Sequence, residues 1–122
     1  MKGQNIADRL LEFGGAALRL SAKLPASAIG KHVSLQLVRA ATGAGANYEE
    51  ARGAESAGDF AHKAAVAGKE IREAHYWVQL IARSGWVHED LGELIRESGE
   101  LKAILAASIR TARLRQNEKD PA

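Results

Sequence analysis

Apolar residues recur at alternating steps of four and three through four successive stretches of this chain, and that spacing decides what it can fold into. Ile6, Leu10, Phe13, Ala17, Leu20 and Leu24 hold the pattern in the first stretch. Val33, Leu37, Ala40, Ala44, Asn47 and Ala51 hold it in the second, and Phe60, Ala64, Ala67, Ile71, Ala74, Val78 and Ile81 in the third. Leu91, Leu94, Ser98, Leu101, Leu105, Ser108 and Ala112 carry it through the fourth. Such steps keep a side chain on one stripe of a helix, so each stretch reads as an amphipathic helix with its seam turned inward. The breaks carry the matching chemistry. Leu24-Pro25 ends the first helix and Ser27 can cap the second; Arg52-Gly53 ends the second, and Ser56 with Asp59 has the form of a capping box; Ser84-Gly85 ends the third. Short connections force neighbouring helices to run in opposite directions. The expectation is an all-α, antiparallel up-down-up-down four-helix bundle with helices at about 5–24, 28–53, 57–84 and 88–115, followed by a disordered polar tail over 116–122.

Composition agrees with one such unit. The chain has 122 residues, 46% of them apolar and only 5% aromatic, which suits alanine- and leucine-rich helices packed at short distance around one core. Cysteine is absent, which removes disulfides, thiolate metal sites and thiol nucleophiles together. No apolar run approaches the roughly 18 residues of a membrane span, and the residues after Met1 lead into an amphipathic pattern rather than a signal-peptide core, so a cytoplasmic protein without a membrane partner is expected.

The motifs that could carry chemistry fall short of it. Gly43-Ala44-Gly45 lacks the third glycine of a dinucleotide fingerprint and the Lys-Ser/Thr of a phosphate loop, and it follows no strand. Two glycines inside a helix cost on the order of 1 kcal/mol each relative to alanine, so close approach of a neighbour is the expected compensation. Asp59 and His62 have ligand-pair spacing, and Glu49, Glu50, Glu70 and Glu73 add carboxylates, but a di-iron bundle needs two Glu-x-x-His pairs and His32, His75 and His88 do not supply them. Asp59 is read as a helix cap and His62 as a solvated residue. Ser98 and Ser108 lie on the inward seam, where a hydroxyl can bond back to its own helix. No catalytic residue, metal, cofactor or small-molecule substrate is assigned, and the chain is expected not to be an enzyme.

Charge and surface leave more to work with. The formal net charge is only +2, so any nucleic-acid partner must be met by a local patch. Arg110, Arg113 and Arg115 close the last helix, where the helix dipole favours cations, and an antiparallel bundle sets them at the same end as Lys2, Arg9 and Arg52. These three arginines are the candidate nucleic-acid contacts, for RNA or DNA. Leu11, Leu18, Leu35, Val38, Val66, Trp77 and Leu80 stand outside the seams, more apolar surface than a solitary bundle leaves in water, and this points to a homo-oligomer.

Nearly the whole chain, and most strongly the stretch from Gln36 to Ile81, resembles the four-helix-bundle family first named for proteins encoded in intervening sequences of 23S ribosomal RNA genes. Gln36, Leu37, Arg39, Ala40, Ala41, Ala46, Asn47 and Glu50 fit that family's second-helix pattern, and Phe60, Glu70, Glu73, Tyr76 and Trp77 fit its third. Val38 departs from it where many members carry an arginine, and Gly43-Ala44 replaces a frequent Ser-Ile. The resemblance implies a homopentameric barrel of bundles with no known enzymatic activity. It also implies kinship with the accessory protein of diversity-generating retroelements, a similar pentamer that binds nucleic acid. The functional expectation is therefore a nucleic-acid or nucleoprotein adaptor, with a scaffold lacking nucleic-acid affinity as the alternative. Folding the second helix back on the third sets Arg39 near Glu70 or Glu73 and puts Gly43 and Asn47 at the closest approach of helices or subunits. Arg39, Gly43, Asn47, Glu50, Glu70, Glu73 and Trp77 are the candidate interface residues.

Overall fold

The computed structural model describes residues 2–119, with side chains for 5–118. Four helices follow one another: α1 (Lys2–Ser21), α2 (Ala28–Arg52), α3 (Ala57–Ser84) and α4 (Gly92–Lys119), and the described residues contain no strand. α2 packs against α1 and α3, and α3 against α4, while α1 and α4 meet only thinly. No described helix is long and apolar enough to cross a membrane.

The helix ends are fixed by local hydrogen bonds. Ser27 Oγ accepts the Gly30 amide at 3.1 Å, and Ser56 Oγ accepts the Asp59 amide at 3.0 Å, so two otherwise unpaired first-turn amides find side-chain partners. Gly85 leaves α3 in the left-handed region at φ 79°, which suits a residue without a Cβ. Four ends depart from the expected limits. α1 opens at Lys2 rather than about residue 5. α1 closes at Ser21 rather than 24 because Lys23 and Leu24 bond back to Leu20 and Ser21, tightening the last turn ahead of Pro25, although Leu24 itself is buried. α4 starts at Gly92 rather than 88, where Asp90 Oδ1 accepts the Gly92 amide at 2.8 Å; Trp86 and Val87 pack on the core from an irregular segment. The polar tail is helical through Lys119, and Gln116 lies over the first turn of α3 against Gly58. Residues 120–122 of the expected disordered tail lie outside the described residues.

The core is built from Leu10, Phe13, Leu37, Ile71, Val78, Ile81, Leu101 and Leu105, each under 2% exposed or at that level. Between them Ala40, Ala44, Ala64, Ala67 and Ala74 are fully buried, so α2 and α3 are separated by methyl groups rather than branched chains. Phe60, Leu94 and Ser108 of the expected seams are half-buried, and so is Asn47, where Tyr48 takes the inward place with 3% exposure. A step of three or four fits a helical stripe equally well, and the larger apolar ring wins the burial.

Candidate functional site

Where α2 faces α3, a polar cluster stands beside glycine. Arg39 donates to Glu73 Oε1 at 3.0 Å and to Gln36 Oε1 at 2.7 Å. Glu70, one turn earlier on α3, lies against Gly43, where a Cβ would stand 3.0 Å from its Oε2. That oxygen is buried without a hydrogen-bond partner. Of the two carboxylates expected for Arg39 it is therefore Glu73 that pairs, and the small size of Gly43 makes room for Glu70. Asn47 donates to the Gly43 carbonyl at 2.8 Å, within its own helix. Trp77 sets its ring edge-on to both His32, at 6.2 Å, and Tyr76, at 5.1 Å. Glu50 is exposed near the end of α2. With Arg39 about half exposed, its bond to Glu73 contributes on the order of 0 to 1 kcal/mol and sets register more than stability.

A stronger pair spans the thin α1–α4 contact, where sequence spacing gives no signal. Arg9 forks onto Glu97 with bonds of 2.9 and 2.6 Å and reaches Glu100 at 3.1 Å. The Arg9 hydrogen bond holds the Glu97 carboxyl below its usual range, against a smaller opposing effect of burial. A carboxylate with a lowered folded pKa adds stability above its unfolded value and loses it as pH falls through the folded one. Glu97→Gln is therefore expected to melt below the parent at pH 7, and the gap should close as pH drops below about 4. Melts across pH 3 to 7 check this; a constant gap assigns the loss to packing.

Ser98 is fully buried, and its hydroxyl lies 3.0 Å from the Leu94 and Ile95 carbonyls and 2.7 Å from His75 Nδ1. With its hydrogen given to a carbonyl, the oxygen accepts from Nδ1–H. Burial, with Lys102 adding to it, pushes His75 down and favours the neutral ring. The contact joins α3 to α4, and a fully buried hydroxyl offers no path to a substrate. Among the described residues no three His, Cys, Asp or Glu side chains form a group able to hold a metal ion.

The three terminal arginines do not form one patch. All are exposed and carry no ion pair among the described residues. At about 100° per residue Arg115 turns away from Arg110 and Arg113. It lines an open cleft of about 700 Å³ with Arg9, Tyr48 and Thr111 on the α1 side of α4. Arg9 is already taken by Glu97, and Arg52 bonds Glu49 at 2.8 Å, so neither adds free charge to that end; the Lys2 side chain lies outside the described residues.

These features define an all-helical bundle whose polar clusters join helices. The chain belongs to the 23S rRNA-intervening sequence protein family, whose model matches residues 4–107. It is similar to a protein of unknown function from the S23 ribosomal protein family of Bacteroides thetaiotaomicron, known from a crystal structure. The two share 31% identity with a TM-score of 0.80, over 90% of this chain and 99% of that one. No curated protein matches the chain.

Proposed function

We propose that this protein is a non-enzymatic, cytoplasmic homo-oligomer, an up-down-up-down bundle repeated five times around a barrel, that serves as an adaptor for nucleic acid or nucleoprotein. The observation that carries the reading is a surface left unsatisfied in two ways. Leu11, Leu18 and Leu35 are 76%, 51% and 63% exposed, and the first two border a groove floored by Gly14, Gly15, Ala41 and Gly45 between α1 and α2. Small residues beneath projecting leucines suit the close approach of another helix. The number five comes from the family resemblance. Elsewhere Arg110, Arg113 and Arg115 stand without carboxylate partners among the described residues, which leaves them open to phosphate. Five copies multiply a weak phosphate contact into usable affinity.

Light scattering is expected to give five times the 13.0 kDa of one chain at micromolar concentration. Gel-shift series with mixed-sequence RNA and DNA should show binding that weakens steeply with salt. A stable monomer removes the ring. An oligomer that shifts neither nucleic acid at low salt leaves the scaffold alternative.

A further inference from the structure

Around the bundle the charges are unevenly sorted. Arg9, Lys23, Arg39, Arg52, Lys63 and Arg96 are each held by a carboxylate. Among the described residues Lys69, Arg72, Arg83, Lys102, Arg110 and Arg113 are not, and these six share one flank.

The contacts between α3 and α4 place them there. Gly68 faces Ile109, Gly99 faces His75, and Gly58 faces Gln116, so residue numbers fall on α4 as they rise on α3. At about 100° per residue, Lys69, Arg72 and Arg83 lie on the side of α3 that holds Gly68 and His75. Lys102, Arg110 and Arg113 lie correspondingly on the Gly99 and Ile109 side of α4, and the charge of Lys102 is felt at His75. Apart from Glu73, which stands one turn beyond Lys69 at the edge of the row and pairs with Arg39, the same sectors contain no Asp or Glu: Asp59 and Glu70 of α3 turn toward α2, and Glu93, Glu97, Glu100 and Glu118 of α4 turn toward α1. Between the rows of cations lie Ala65, Gly68, Gly99 and Ala106, with the Ile109 side chain against Gly68 and the His75 ring against Gly99. Tyr76, 55% exposed and braced against Trp77, stands among the cations beside Gln79.

We propose that this α3–α4 flank is a nucleic-acid docking face, with the six cations holding phosphates and Tyr76 offering a plane for a base. The inference rests on the adaptor reading and relocates its site, taking Arg110 and Arg113 from the terminal trio and leaving Arg115 out. From the level of Arg113 to that of Arg83 the stripe runs about 30 Å at about 1.5 Å of rise per residue. That is the axial length of roughly nine base pairs, too long for a small anion to span. Four of the six are arginine, whose planar fork matches phosphate oxygens. A base stacked on an exposed aromatic adds affinity without demanding a sequence.

The test is fluorescence anisotropy with a mixed-sequence DNA duplex and a single-stranded RNA, each across a salt series, using the full chain. Arg72→Gln, Lys102→Gln and Arg110→Gln together remove three charges from the flank. Arg19→Gln, Lys23→Gln and Lys31→Gln remove three charges elsewhere. The flank triple is expected to lose at least about tenfold in affinity and to flatten the salt slope by about 3, while the control triple stays near the parent. Circular dichroism and elution volume accompany each variant; should the flank triple unfold, the single neutralisations each reduce the slope by about 1. Equal losses in both triples, or none in the flank triple, overturn the face while leaving the adaptor reading standing. A parent that binds no nucleic acid at low salt overturns both, and tighter binding to phosphatidylserine vesicles than to either nucleic acid overturns the choice of partner.

Discussion

Gly30→Ala is expected to destabilise the bundle by about 3 kcal/mol, seen as a fall of roughly 10 °C in Tm. A Cβ built on Gly30 stands 2.0 Å from the Pro25 carbonyl oxygen and 2.8 Å from its carbon. Those are backbone atoms whose neighbouring φ is locked by the proline ring, so no rotamer change relieves the clash. The α1–α2 turn must open instead. Opening it pulls Ser27 Oγ from the Gly30 amide and Leu24 from the core. Alanine's better helix propensity returns only about 1 kcal/mol of this. Ser27→Ala serves as the comparison, since it removes the cap without the clash and should cost about 1 kcal/mol. Thermal melts of the two variants check the order; a Gly30→Ala loss no larger than that of Ser27→Ala refutes the steric account.

Gly30 also marks what a sequence can disclose. Its place after Ser27 reads as the first turn of a helix, and the seams through Leu37, Ile71 and Val78 are legible because a period of 3.6 has no rival over twenty residues. Caps are legible for the same local reason: Ser27, Ser56 and Gly85 act on neighbours within three or four positions. Arg9 and Glu97, 88 residues apart, meet only because α1 and α4 close the bundle at one particular rotation, which no local pattern encodes. The start of α4 was obscured because Trp86, Val87 and Leu91 bury apolar surface without being helical, so burial and periodicity part company there.

The candidate site divides along the same line. Arg39, Gly43 and Glu73 are recoverable because a short turn between α2 and α3 fixes which levels face each other. The terminal arginines share a stretch of sequence but not a face. Lys69, Arg72, Arg83 and Lys102 each look like an ordinary solvated cation until the facing sides of α3 and α4 are known. Patches of this kind are properties of helix rotation, and the α3–α4 rotation is set by contacts such as His75 with Ser98 and Gly68 with Ile109.

Leu11→Glu combined with Leu18→Glu is expected to convert the proposed ring to monomers while the helical content of each chain is kept. In a single chain both side chains project into water, so each change should move folding stability by no more than about 0.5 kcal/mol. In the assembly they are to be covered, each leucine contributing about 1.5 to 3 kcal/mol on burial, and a buried unpaired carboxylate adds a penalty of several kcal/mol. The effect falls on every subunit contact around a closed ring, which makes loss of assembly steep with concentration. Leu114→Glu supplies the matched control, being 65% exposed near the end of α4 and away from the α1–α2 groove. Light scattering of the three proteins decides the matter: assembly retained by the double variant, or lost equally in Leu114→Glu, shows that the copies do not meet on α1 and α2.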